Sequence, residues 1–240
     1  MPAVLRRRSA AALACAAVAL CATACDSSPG DRTGPGILGR AISATESAKS
    51  VTVHTDGLSL SVPVKGRVSL DDRGNCTATM TYGTAGTAEL IRIGGKDVYL
   101  RRDEKLLRVQ ERHRSPEDLE ALLDALGGRW TKPPVDGPDA PDELRLCAGK
   151  GIPAGLENGW DDDSAEGEAT TVGGRKALKL AKPVGGDGGT TTVYIAAEGP
   201  PYLLKIVATG GEEPGTTTFS HYGRPVEAKA PPAEDVAVTD

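Results

Sequence analysis

Apolar residues recur at every second position over two tracts, residues 51–101 and 167–222, and at helical spacing before and between them. Cys76, Ala78, Met80 and Tyr82 alternate strictly with Thr77, Thr79 and Thr81, which predicts a strand with one buried face. Residues 51–64 alternate in part, and Gly57 and Pro63 there mark a bulge or an edge. Residues 65–70 follow as a second segment, closed by the turn residues Asp71 to Asn75. Residues 87–93 and 97–101 flank Gly94-Gly95 as a hairpin. Residues 167–180, broken at Gly173-Gly174, return to strand character, and 190–197, 202–209 and 216–222 are three more strands. Ile37, Leu38, Ala41, Ile42 and Thr45 fall on one helical face and predict a helix over 37–49. Ser115-Pro116-Glu117-Asp118 starts a second helix with a cap, a first-turn proline and acids near the dipole; its apolar face is Leu119, Leu122, Leu123 and Leu126, and Gly127-Gly128 ends it. A Pro-rich linker over 130–141 leads to a short helix, 142–148, that carries Cys147. The pattern predicts an α+β domain over 37–228: one antiparallel sheet of about nine strands with short helices inserted. The last residues, 229–240, read as a disordered tail. No internal repeat is visible.

The N-terminus follows another pattern. Arg6, Arg7 and Arg8 precede an uncharged, Ala-rich run from Ser9 to Ala24, which reads as an export signal over residues 1–24. It is shorter than the ~20 apolar residues of a spanning helix. Ala22-Thr23-Ala24-Cys25 places small residues before a cysteine, which resembles the lipobox of bacterial lipoproteins, although the commonest pattern has Leu where this chain has Ala22. The resemblance implies a diacylglycerol on Cys25, no other cofactor, and localisation at the cell membrane on its extracytoplasmic face. An ordinary A-x-A cleavage site is the alternative, and the arginines leave twin-arginine export open beside the general route. Residues 25–36, rich in Gly, Pro and Ser, read as a flexible tether.

Composition narrows the class. The chain has 30 Gly, 17 Pro and only 3% aromatic residues, yet 39% are hydrophobic. A core is therefore built from aliphatic side chains, and long helical bundles are excluded by the density of breakers. A pI near 5.4, with no basic stripe, argues against nucleic acid as a partner. Losing Arg6, Arg7 and Arg8 leaves 25 basic against 33 acidic residues, a balance of −8, so the membrane partnership rests on the lipid rather than on charge. Cys76 and Cys147 would pair as a disulfide outside the cytoplasm, the alternative being two buried thiols. The three histidines, His54, His113 and His221, lie far apart and away from ligand spacing to a cysteine, so no metal site is expected. Asp161-Asp162-Asp163 lacks the EF-hand spacing and reads as a solvated loop. No G-x-S-x-G, phosphate-binding loop or dinucleotide fingerprint is present, and no catalytic activity is expected.

Three local stretches are similar to actinobacterial LolA/LppX-type lipoproteins: Ala88 to Tyr99, Thr171 to Ala177 and Phe219 to Val226. The order of elements is similar too, with one helix, a meander, helices in the middle and a closing run of strands. The resemblance implies a curved sheet, a half-barrel, with short helices on its concave face. It also implies a lipidic or acylated ligand between them. The cavity candidates are Ala78, Met80, Ile91, Ile93, Val193, Ile195, Leu204 and Ile206 on the sheet and Leu119, Leu122, Leu123 and Leu126 on the helix. The same residues would equally fill a plain core. Carrier and non-carrier functions both stay open, the latter an interaction or sensor lipoprotein presenting its fold to a protein partner.

Overall fold

The computed structural model describes residues 33–138, 140–160, 167–184, 188–211 and 213–238. The signal, Cys25 and the Asp161 to Asp163 cluster lie outside these residues.

Eleven strands form one open, curved antiparallel sheet. They are β1 (Ser50–Ser59), β2 (Val62–Asp71), β3 (Cys76–Tyr82), β4 (Gly86–Ile93), β5 (Asp97–Arg102), β6 (Trp130–Thr131), β7 (Glu168–Val172), β8 (Arg175–Val184), β9 (Gly189–Ala196), β10 (Leu203–Thr209) and β11 (Gly215–Ser220). The order across the sheet is β6-β5-β4-β3-β2-β1-β11-β10-β9-β8-β7. Two meanders thus join where β1 pairs with β11, and the segment between β6 and β7 must travel from one edge of the sheet to the other. It does so over the inner face. The fold is the α+β half-barrel that the resemblance implied, with eleven strands rather than about nine.

The helix α1 (Gly34–Glu46) lies on that face through Ile37, Leu38, Ala41 and Thr45. It starts three residues before the expected Ile37 and takes in part of the expected tether. Thr33 caps it by accepting from the Gly36 N–H at 3.4 Å, and a proline occupies its first turn, where a missing N–H costs nothing. Thr45 Oγ1 accepts from the Leu203 N–H at 3.0 Å, and Tyr222 donates its hydroxyl to the Leu203 carbonyl at 2.6 Å, so the helix is fastened to β10. Burial pushes the Tyr222 phenol well above its usual range.

The 3₁₀ turn Asp142–Cys147 sits over β2 to β4 and is bonded to β3 by the Cys76–Cys147 disulfide. Arg102 on β5 grips Glu143 with two bonds of 2.8 Å. Burial works to raise the Glu143 carboxyl, but the Arg102 guanidinium together with hydrogen bonds from the backbone and Gln110 holds the group below the ordinary carboxylate value. Farther along, Leu156 and Trp160 pack into the same core as Val53, Phe219, Val193 and Leu180.

Two further helices follow β5, only the second of them expected from the sequence. The helix α2 (Glu104–Gln110), not foreseen, packs against β4 with Leu106 and Leu107 buried; Asp103 caps it. The helix α3 (Pro116–Leu126) packs on α2, burying Leu123 and half-burying Leu119, Leu122 and Leu126. The expected linker over 130–141 contributes the short edge strand β6. The expected disordered tail is instead seated on that edge: Val236 bridges Trp130, the Ala237 N–H donates to the Trp130 carbonyl at 2.7 Å, and Ala237 is buried. An edge with unpaired backbone groups supplies the reason, since the tail satisfies them.

Candidate functional site

Each strand of the sheet's centre runs from large to small side chains along its inner face. On β1 the inward positions are Val51, Val53, Thr55 and Gly57; on β11 they are Phe219, Thr217 and Gly215. On β10 Ile206 gives way to Ala208, and on β9 Ile195 and Val193 give way to Thr191. The large ends interdigitate with α1, Leu156 and Trp160 as a filled core. At the small ends the filling stops, and a cleft of about 730 Å³ opens. That volume lies within the range of small-molecule sites, ~300–1,000 Å³.

The floor of the cleft is Thr55, Gly57, Thr191, Ile206, Gly215 and Thr217. Gly57 and Gly215 are direct partners across β1 and β11, and a Cβ on Gly57 would stand 2.7 Å from the Gly215 Cα. Glycine is thus required at Gly57 for the strands to approach. The roof is the turn from Pro153 to Gly159. Leu156 anchors it in the core, and the Trp160 indole N–H donates to the Leu156 carbonyl at 2.7 Å. Lys182 on β8 donates to the Asn158 carbonyl and lies 5.3 Å over the Trp160 ring, closing one wall. Leu58, Pro183, Val184 and Pro214 complete an apolar mouth with Glu213 beside it. The arrangement can hold an elongated, mostly apolar molecule against hydroxyls that would bind its polar parts. Among the described residues, no group of three or more His, Cys, Asp or Glu could hold a metal ion.

The structure distributes the sequence candidates unevenly. Ala78, Val193 and Ile195 are buried in the filled core, and Met80 is buried on the same face, where its sulfur packs over Gly66. Ile206 alone of the twelve candidates lines the cleft. Ile91 and Ile93 are on the opposite face: Ala78 pairs with Leu90 and Cys76 with Arg92, so the inward residues of β4 are Ala88, Leu90 and Arg92. Arg92 tolerates the inner face because its guanidinium donates to the carbonyls of Gly74 and Cys147, both at 3.3 Å. Leu204 is buried on the outer face with Ala177 and Ala196, set there by a register shift between Leu203 and Lys205. Leu119, Leu122, Leu123 and Leu126 are on α3 and do not line the cleft. The floor residues went unforeseen because Thr191 and Thr217 stand within runs of three threonines, Thr190-Thr191-Thr192 and Thr216-Thr217-Thr218, where no alternation marks the inward face. The period-2 decline in side-chain size was the available signal.

Several solved structures match this chain. LppX from Mycobacterium tuberculosis matches with a TM-score of 0.49 and 15% identity, covering 84% of this chain and 100% of that one. LprF from Mycobacterium bovis matches at 0.47 and 16%, covering 85% and 98%. MucB in complex with MucA matches at 0.35 and 13%, covering 88% of this chain and 62% of that one. These likenesses concern the course of the chain and transfer no residue or ligand. No family model matches the chain, and no curated protein does.

Proposed function

We propose that this chain is an extracytoplasmic lipoprotein, anchored to the membrane by diacylglycerol on Cys25, that binds a lipidic or acylated molecule in the cleft and catalyses no reaction. The observation that carries the reading is the cleft itself: an apolar mouth, a floor of glycine and threonine, and a roof strapped down by Leu156 and Trp160. Apolar residues concentrated around a concave site, with few polar groups, are what a hydrophobic ligand requires. The N-terminal pattern supports the anchor, because two acyl chains hold a protein stably where one does so only marginally. No helix among the described residues is long and apolar enough to cross a membrane.

Native mass spectrometry of the chain from Asp26 onward tests the ligand. The expected spectrum carries bound lipid, and Ala208→Trp, which fills the cleft from its floor, removes it without loss of the folded state. A wild-type chain free of lipid, or a variant that retains it, overturns the reading. For the anchor, Cys25→Ser is expected to move the processed protein into the soluble fraction; retention in the membrane overturns that part.

A further inference from the structure

The turn that joins β1 to β2 beside the cleft is Leu60-Ser61, and both residues are in the left-handed region, with φ of 48° and 66°. Two-residue hairpins demand that conformation, and Asn or Gly normally supplies it; a leucine there is strained. Leu60 contributes nothing to the core in return. It is 86% exposed, with Leu58 and Val62 on the same tip 37% and 41% exposed, and Val184 across the mouth 41% exposed. An apolar, strained and solvated turn needs a reason outside the folded chain.

Charge around the tip says what it meets. Residues 57–64, Gly-Leu-Ser-Leu-Ser-Val-Pro-Val, carry none. The next rung back is Asp56 with Lys65, an ion pair of 3.0 Å. Among the described residues, the charges at the rim of the cleft are Glu213, which accepts from the Leu60 N–H at 3.3 Å and so stands at the tip, and Lys182. With the Asp56–Lys65 pair these charges are two acids and two bases, and the acids Asp187 and Glu212 lie outside the described residues. Because Glu213 lies beside the Leu60 backbone, what projects past the last charge is the Leu60 side chain, with Leu58 and Val62 flanking it. Interfacial elements bury their apolar parts ~5–10 Å into the boundary between headgroups and acyl chains. A rim without excess positive charge at headgroup level, with the Leu60 side chain below it, matches a zwitterionic rather than an anionic bilayer. If Cys25 is the anchor, the eight residues from there to Thr33 span at most roughly 28 Å, which keeps the domain against the lipid surface.

We propose that the β1–β2 hairpin tip inserts into a zwitterionic bilayer and sets the mouth of the cleft at the lipid surface. The proposal takes its purpose from the ligand reading above but is tested without it.

The chain from Asp26 onward, which has no anchor and keeps every described residue, is floated with phosphatidylcholine vesicles. The wild type is expected to float with them. Leu60→Asn suits the turn better and should preserve or raise the melting temperature while weakening vesicle binding at least tenfold. Leu60→Trp gives a second readout: its emission should shift to the blue on adding vesicles and be quenched by brominated lipid. The proposal is overturned if the wild type stays unbound, if Leu60→Asn floats equally well, or if flotation requires anionic lipid and disappears in high salt. It is also overturned if Leu60→Asn converts a dimer to a monomer in sedimentation, since a second copy then covers the tip. Loss of bound lipid in mass spectrometry with flotation intact would count against the cleft reading and leave the hairpin proposal standing.

Discussion

Replacing both Cys76 and Cys147 by alanine probes how the inner face is held. The bond links the first residue of β3 to the last residue of the 3₁₀ turn Asp142–Cys147, across a sequence separation of 71. In the chain-entropy picture, closing a loop of that length restricts the unfolded chain by about 4 kcal/mol. Both cysteines are buried in the core, so the alanines also leave unfilled space, worth on the order of 1 kcal/mol each. The sum is a large part of the ~5–15 kcal/mol that holds a domain folded. In urea, with a slope of roughly 2 kcal/mol per molar, the midpoint should fall by about 2 M or more. Wild-type protein unfolded in reductant isolates the loop contribution, because its sulfur atoms remain. The residues after Cys147 continue to the roof at Pro153 to Gly159, so the reduced protein should also lose bound lipid before it unfolds. A midpoint shift below about 0.5 M at unchanged slope would refute the reasoning, as it would mean that Arg92, Glu143 and the core contacts hold the segment by themselves.

Two further outcomes follow from the same face. Glu143→Ala leaves the Arg102 guanidinium without its paired carboxylate and should destabilise by about 1.5–3 kcal/mol in urea unfolding; because pairing holds the Glu143 carboxyl low against the opposing effect of burial, the wild type should keep this contribution above the unfolded carboxyl value and lose it as pH falls through the lowered one, whereas stability that rises on acidification between pH 5 and 2 contradicts the pairing. Gly57→Val forces a side chain against the Gly215 backbone and should lower the melting temperature, by about 1–3 kcal/mol of stability; an unchanged melting curve would mean that the two strands can part.

How far the sequence carried depends on what each residue does locally. The strand Cys76 to Tyr82 was legible in full, since its two faces differ in every residue. The Ala88 to Ile93 strand was legible as a strand but not in its facing. Leu90 and Ile91 are both apolar, and a one-residue slip exchanges the faces. Pairing with β3 decides it, and that pairing puts Arg92 inside, where carbonyls from two loops receive it. Leu203-Leu204 posed the same problem: both are buried, on opposite faces, and because the ladder shifts between Leu203 and Lys205, alternation counted back from Ile206 assigns each to the wrong face. The Leu60-Ser61 turn was unreadable, because it contains none of the residues by which such turns are recognised. The seated tail was missed for another reason: it depends on an edge strand of two residues, Trp130–Thr131, too short to leave a periodicity.

Core and cavity had stood as alternatives for the inward-facing residues, yet they occupy successive stretches of the same strands. Packing stops where the side chains become too short to meet the segment above them. Val53 and Phe219 meet Leu156 and Trp160, whereas Thr55, Thr217 and the two glycines do not fill the space beneath the roof. A uniformly large inner face would have closed the cleft; a uniformly small one would have left no core to hold the roof. From β1 into the turn that follows it, the sequence Val51 to Leu60 runs through all three environments, from core to floor to exposed tip. The site is therefore stiff at one end and open at the other. Substitutions early in that strand should act on stability, those at Gly57 on both stability and cleft width, and those at Leu60 on the strain of the turn without touching core or floor, which leaves the tip free to be shaped by what it touches outside the chain.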